Sequence, residues 1–322
     1  MADSCLLIAP KSFGILEPLI DELKSLGYLV TFIDDRDNAG FVRKFVYRFN
    51  FLRQLLISKI GCSYNDTKRA TFDLLIVING EGYSNESLLE LARKSEKSIF
   101  YTWDSVKNKK FLGRRLRIFM SEFDSVGTFD PEDALSFNVK YVPLFGVEFK
   151  HLHPSSSYMY SFVGTVHSDR MKKICNFMSN NPGVTNKFVY FYAQSVLHFI
   201  IYAVLNIRRF RFFRKHVHLV PLPFEEYQRV TLGSDYVLDI PHPGQTGLTH
   251  RVVTCLVNKK IVVSDSLHEA NKQLDGLIFV PDISLLRISD LCNSKGSSVG
   301  GAFSAKDWLK RLNISSFDDS LV

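Results

Sequence analysis

The sequence lacks paired cysteines, long apolar runs and the common signatures of nucleotide or hydrolytic enzymes. Its five cysteines, Cys5, Cys62, Cys175, Cys255 and Cys292, stand singly, with no C-x-x-C pair and no cluster of metal-like spacing. That argues against a disulfide-stapled scaffold or a zinc module, and the thiols read as reduced ones of a cytoplasmic protein. No stretch reaches the roughly 20 apolar residues of a transmembrane helix. The nearest, 188–205, is shorter and holds Gln194, Ser195 and His198. The N-terminus carries no signal-peptide pattern: Asp3 interrupts it, and the apolar run at 5–9 is short, as in a first strand. Nucleophile-elbow, P-loop and H-E-x-x-H patterns are missing, and the absence of G-x-G-x-x-G weighs against a standard dinucleotide enzyme.

What is present is an ordinary globular composition. The chain has 322 residues, 46% hydrophobic and 23% charged, which excludes a disordered, collagenous or coiled-coil chain. At roughly 150 residues per domain the length suggests two domains. The unusual feature is 27 Phe and 13 Tyr beside 40 Lys+Arg and 33 Asp+Glu, a net charge of +7. An aromatic and basic chain points to an anionic partner.

Apolar spacing gives a strand at 6–10, a helix over 16–26 and a strand at 28–33, a unit in which the two strands pair in parallel. A long basic-aromatic helix is predicted over 41–60. Strands follow at 72–78 and 98–102 around a helix at 86–94, then shorter ones at 125–129 and 140–144. The pattern restarts with strands at 158–163, 187–192, 235–239, 260–264 and 276–280, interleaved with helices at 171–178, 224–232 and 247–257 and a short one before 276. The polar, Pro/Ser-rich stretch 151–157 divides the chain into two doubly wound α/β domains, 1–150 and 151–322. Two such domains leave a cleft, and ligands in such sheets sit beyond the carboxyl ends of the strands.

Loops in that position therefore carry the candidates. Asp239-Ile-Pro-His-Pro-Gly-Gln-Thr-Gly-Leu-Thr-His-Arg251 follows a strand and opens a helix. Gln245, Thr246, Gly247 and Leu248 would present backbone N–H groups at its positive end, and Arg251 a bidentate contact to phosphate. A capped helix without ligand explains the same residues. Phe162-Val-Gly-Thr-Val-His-Ser-Asp-Arg170 has the same form. There Gly164 would allow close approach and Thr165, His167 and Arg170 could touch an anion, or Asp169 could simply cap the helix. In the first half, Glu81 in Asn79-Gly-Glu-Gly82 and Asp104 after Tyr101-Thr-Trp103 are placed as a general base would be; each could equally be a cap or a solvated carboxylate.

Three basic-aromatic stretches remain. One contains Arg43, Lys44 and Arg48. A second contains Lys107, Lys109, Lys110, Arg114, Arg115 and Arg117. The third is 206–215, after the apolar run. Core elements explain part of them. Interleaving with Phe, Leu and Ile suits anionic lipid headgroups better than nucleic acid, and an acidic glycan stays open.

The run Tyr101-Thr-Trp-Asp-Ser-Val-Lys-Asn108, the run Phe123-Asp-Ser-Val-Gly-Thr-Phe-Asp-Pro-Glu-Asp-Ala134, Val142-Pro-Leu-Phe145 and the two loops above resemble bacterial lipopolysaccharide-core and capsule biosynthesis glycosyltransferases, in order over about 6–280. The resemblance implies a GT-B fold: two Rossmann-like domains facing across a cleft, acceptor on the first, nucleotide-sugar on the second. It also implies no bound metal and no cofactor besides the nucleotide-sugar, and a C-terminal helix at 305–312 returning to the first domain. The expected enzyme is a cytoplasmic, peripheral inner-membrane transferase acting on a lipid-linked glycan, without nucleic acid. Gln245-Thr246-Gly247 replaces the Glu-rich donor motif of many such enzymes. His242-Pro243 resembles the pair with which some sialyl- and Kdo-transferases hold a CMP-sugar. A UDP- or other NDP-sugar stays ahead, with CMP-sugar as the alternative. A non-catalytic nucleotide-sugar or glycan-binding module is the other reading.

Overall fold

The computed structural model describes residues 3–12, 14–35, 71–150, 152–154, 156–205, 207–265, 274–291 and 303–314. The helix expected over 41–60, with its basic cluster, lies outside these residues, as does most of the short helix expected before 276. The chain divides into two units, Met1–Leu144 with Ala305–Val322, and Phe145–Ser304.

In the first unit, β1 (Ser4–Ala9) is wholly buried from Cys5 to Ala9. A strand covered on both faces carries a continuous apolar run, as central strands of parallel sheets do. Helix α1 (Glu17–Ser25) leads to β2 (Leu29–Asp34), parallel to β1. β3 (Phe72–Ile78) lies on the other side of β1. Then come α2 (Asn85–Arg93), capped by the Ser84 hydroxyl, β4 (Ser95–Thr102) and α3 (Lys110–Phe119). β5 (Ser125–Thr128), α4 (Pro131–Phe137) and β6 (Lys140–Tyr141) complete the sheet, in the order β2-β1-β3-β4-β5-β6. The Asp130 carboxylate caps α4, accepting the N–H groups of Glu132 and Asp133. Helices α3 and α4 add to the elements that apolar spacing predicts.

The second unit runs β7 (Tyr158–Thr165), α5 (Arg170–Asn180), β8 (Lys187–Tyr192), α6 (Val196–Leu205), α7 (Phe210–His216) and β9 (Val217–His218). It continues with α8 (Phe224–Leu232), β10 (Ser234–Asp239), α9 (His250–Val257), β11 (Ile261–Ser264) and β12 (Leu277–Phe279). Its parallel sheet has the order β12-β11-β10-β7-β8-β9. The apolar run at 188–205 thus divides into a strand and a helix, at the polar pair Gln194-Ser195.

The division of the chain falls ahead of the 151–157 stretch rather than within it, because residues from Phe145 onward belong with the second sheet's helices. The Val147 N–H donates to Thr254 Oγ1 and the Phe149 N–H to Asn258 Oδ1. The last described helix, α10 (Ala305–Arg311), belongs to the first unit, where Trp308 stands edge-on to Tyr101 at 4.9 Å.

Much of the phenylalanine sits in the two cores. Phe100, Phe119 and Phe123 meet in the first, and Phe162, Phe177 and Phe191 in the second. Strand order reverses between β1 and β3 in one sheet and between β7 and β10 in the other. At such a reversal the two connections leave in opposite directions, and a crevice opens beyond the strand ends. The four candidate loops follow β3, β4, β7 and β10.

Candidate functional site

In the second unit the loops after β7 and β10 meet. Their histidines, His167 and His242, lie with ring centroids 5.2 Å apart. His242 Nδ1 donates to the carbonyl of Pro243 at 3.0 Å. Below them sits wholly buried Asp239 at the end of β10. Its Oδ1 accepts from Arg251 Nη1 at 2.5 Å and from the Thr249 hydroxyl at 3.0 Å, and its Oδ2 from the Ser264 hydroxyl at 3.3 Å. Arg251 also donates to the carbonyl of Val163 at 2.5 Å, with its guanidinium 5.3 Å from the Phe162 ring centre. It is therefore a clamp between β10 and β7. A buried carboxylate needs such a partner, since an unpaired one is costly to desolvate. Arg251, expected as a phosphate contact, is thus engaged by the two loops themselves. Gly164 changes role with it: a Cβ there would stand 3.0 Å from Phe162 Cζ and 3.3 Å from Arg251 Nη2, so the glycine makes room for the clamp.

Arg170 crosses in the opposite sense. Its Nε donates to the carbonyl of Ile240 at 2.6 Å, and its Nη1 reaches Thr165 Oγ1 at 3.5 Å. Burial, with the charge of Arg251 added, brings its guanidinium down to about 9. Lys173 pairs with Asp265 at 2.8 Å and Arg251 with Asp239. Among the described residues no carboxylate lies within ion-pair distance of Arg170. A buried cation in that position favours an added anion. Asp169 makes no side-chain cap on α5 and instead lies 3.7 Å from Lys173.

Gln245, Thr246, Gly247 and Leu248 are not the first turn of a helix, which corrects that expectation. The helix begins at His250, with Thr249 accepting the N–H of Val252. Gly244 takes a left-handed φ of 83° that closes a turn, and the Gln245 N–H returns to the carbonyl of His242 at 3.1 Å. Gln245 Nε2 lies 3.4 Å from the Gly247 carbonyl, and Leu248 is a core residue. His250, not singled out from the sequence, is held neutral by burial, down to about 4.

In the first unit the structure brings Glu81 and Asp104 together through one cation. Lys109 Nζ pairs with Glu81 Oε1 and, at 2.7 Å, with Asp104 Oδ2. Asp104 Oδ2 also accepts from Asn79 Nδ2 at 2.7 Å. Asn79 and Gly80 have φ of 58° and 63°, a left-handed pair that turns the chain at the end of β3. Buried Arg115 donates to the carbonyls of Asn79 and Gly80 at 2.6 Å each and to that of Tyr83, fixing the turn. Buried Asp35, after β2, accepts the N–H of Glu81 at 2.6 Å. Asp104 is the more open acid, 32% exposed, and its Oδ1 has no hydrogen-bond partner among the described residues.

Lys109 and Arg115 belong to the cluster read as a cationic surface, and that reading is corrected for these two, while Lys107, Lys110, Arg114 and Arg117 are exposed. Lys107 pairs with Glu132 at 2.6 Å, and Arg117 lies 5.3 Å from the Phe137 ring centre. The Asn79-Gly80 turn was the local sign of a built site. Lys109 and Arg115 had none, because their partners lie 25 or more residues away, apart from Asp104. Among the described residues no three His, Cys, Asp or Glu side chains form a metal-holding group.

No family model matches the sequence, and no curated protein matches it. Solved structures do match the fold. Sucrose-phosphate synthase from Thermosynechococcus elongatus aligns with a TM-score of 0.57 at 10% identity, over 97% of this chain and 94% of its own. Anabaena HepE in complex with UDP-glucose aligns with 0.55 at 13%, over 96% and 95%. A UDP-N-acetylglucosamine 2-epimerase aligns with 0.53 at 11%, over 97% of both chains. Two six-stranded parallel sheets with flanking helices make the fold of this chain GT-B.

Proposed function

We propose that the chain is a glycosyltransferase that takes a sugar from a nucleotide-sugar, a UDP- or other NDP-sugar ahead of a CMP-sugar, and passes it to a lipid-linked glycan. The observation that carries this reading is Arg170, a buried guanidinium without a carboxylate partner among the described residues, where two loops meet at the strand reversal. A nucleoside diphosphate supplies the anion it favours. The open N-terminus of α5 faces the same need, and a charge fixed in advance lowers the barrier to a leaving diphosphate. His242 and His167 stand on the same two loops as the partners of Arg170 and would join it there; Arg251 positions the loops and does not touch the donor. The likeness to HepE, solved with UDP-glucose, supports a uridine donor over a cytidine one.

In the first unit Asp104 is the base we assign, because its Oδ1 is open to accept a proton from a hydroxyl. Glu81 and Lys109 hold it in place. The first unit binds the acceptor and the second the donor, and transfer needs no metal. The acceptor class, a lipopolysaccharide-core, O-antigen or capsule glycan at the cytoplasmic face of the inner membrane, is supported by the sequence resemblance. The decisive experiment is a thermal-shift panel of UDP, CMP and their sugars, followed by nucleotide release with a lipopolysaccharide acceptor and EDTA. A ligand of the native state raises the midpoint. No response to any nucleotide would remove the reading.

A second reading is a nucleotide-sugar-binding module without turnover. The shared ion pair of Lys109 favours it, since both candidate acids are already engaged by one lysine. It predicts a midpoint shift and no nucleotide release with any acceptor.

A further inference from the structure

Between Asp169 and Glu225 the chain has no acidic residue and nine Lys and Arg. Helix α6 lies within that stretch. On one side Phe199, Tyr202 and Ala203 pack against the core of the second sheet. On the other, Val196, Leu197, Ile200, Ile201 and Val204 repeat at helical spacing and are 45–66% exposed. Ile207, just beyond, is exposed as well. A helix this apolar is normally enclosed by the fold; this one is open on one side.

Its ten residues rise roughly 15 Å, half of a hydrocarbon core about 30 Å thick. Among the described residues no helix is long and apolar enough to cross a membrane. Helix α6 is therefore suited to lie along a bilayer rather than through it. Helix α7 follows with Arg211, Arg214 and Lys215 exposed, while Phe212 packs on the core. Apolar insertion beside flanking cations is the pattern of an interfacial anchor, in which lipid area and anionic headgroups both contribute.

We propose that α6 and α7 are a membrane-interface anchor. The outer face of α6 enters the boundary between headgroups and acyl chains of an anionic bilayer, and Arg211, Arg214 and Lys215 lie among the headgroup phosphates. Charge selects this occupant. A second copy would bring the same cations and no acids against them. A nucleic acid would match the cations but leave five aliphatic side chains in water. The anchor requires no donor and stands apart from the sugar-transfer reading.

The test is flotation of the full chain with vesicles of phosphatidylglycerol and phosphatidylcholine in equal parts, against phosphatidylcholine alone. Binding should be strong to the first and weak to the second. Ile200→Asp with Val204→Asp should lower partitioning roughly tenfold or more at any salt. Arg211→Ser, Arg214→Ser and Lys215→Ser together should lower it about a hundredfold at low salt. Nucleotide-induced midpoint shifts should be the same in all these variants, which separates failure of the anchor from failure of the enzyme. Ile201→Trp should shift its emission to the blue and be quenched by brominated lipid. Leu135→Trp, at another exposed apolar position on α4, should not. Unchanged partitioning, or equal quenching at both tryptophans, would overturn the anchor. So would self-association lost in the Ile200→Asp variant, or DNA binding lost only in the serine variant.

Discussion

The strand reversals of the two units carry opposite unmet charge. At the first, Glu81 and Asp104 share Lys109, Asp35 accepts the Glu81 N–H, and an oxygen of Asp104 is left open. At the second, Arg170, Arg251 and Lys173 gather around Asp239 and Asp265, and the guanidinium of Arg170 is left without a carboxylate. The same parallel architecture thus presents an acceptor of protons in one unit and an acceptor of anions in the other. That division of labour suits a transfer that must deprotonate a hydroxyl and release a diphosphate.

The comparison is tested most severely by Asp104→Asn. Removing a general base costs roughly a hundredfold to ten-thousandfold in turnover. The nucleotide-induced midpoint shift should be unchanged, and steady-state kinetics beside a thermal scan would show both. Undiminished turnover would leave the first unit with no distinctive role. Arg251→Ala should act on stability instead. It strands Asp239 as a buried charge, which costs about 3–5 kcal/mol, and denaturant unfolding should show that loss. A variant as stable as the parent would mean the clamp is ornamental.

Arg170→Gln sharpens the distinction between the two arginines. It should weaken nucleotide binding by roughly ten- to a hundredfold, the scale of one charge-assisted contact. Stability should change by no more than about 1 kcal/mol, because Arg170 is already a desolvated cation. Calorimetric titration of UDP into both proteins reads this directly.

The effects of pH are spread over a wide range of conditions, and they too have opposite sign in the two units. His250 is lowered from 6.5 to about 4, so between those values the unfolded chain binds a proton that the native one does not. Its contribution is present above pH 6.5 and is lost as pH falls toward 4, up to about 3 kcal/mol. Burial raises Asp133 in the first unit from 3.8 to about 6, so its contribution is greatest at low pH and is lost as pH rises through that window. Unfolding at several pH values should show His250→Gln losing less stability on acidification than the parent, and Asp133→Asn losing more.

The sequence was most legible where a local pattern decides the structure. Central strands β1 and β3 carry the continuous apolar runs 5–9 and 74–78, and Ser84 before Asn85 marks a helix start. The loops after β7 and β10 could be chosen as a pair because both follow strands and precede helices. What could not be read is how charges pair over distance. Arg251 and Asp239, twelve residues apart, close on each other and leave Arg170 as the exposed need. Lys109 and Arg115 looked like surface charge because the carbonyls and Glu81 that hold them come from another loop. Of the described basic segments, 206–215 keeps Arg211, Arg214 and Lys215 on the surface, and 107–117 keeps Lys107, Lys110, Arg114 and Arg117 there.

The central claim, that the second unit is built to receive a nucleoside diphosphate at Arg170, is tested most directly by the thermal midpoint with UDP in the parent and in Arg170→Gln. The account predicts a rise in the parent that is largely lost in the variant. An equal rise in both proteins, or none in the parent with any nucleotide, would contradict it.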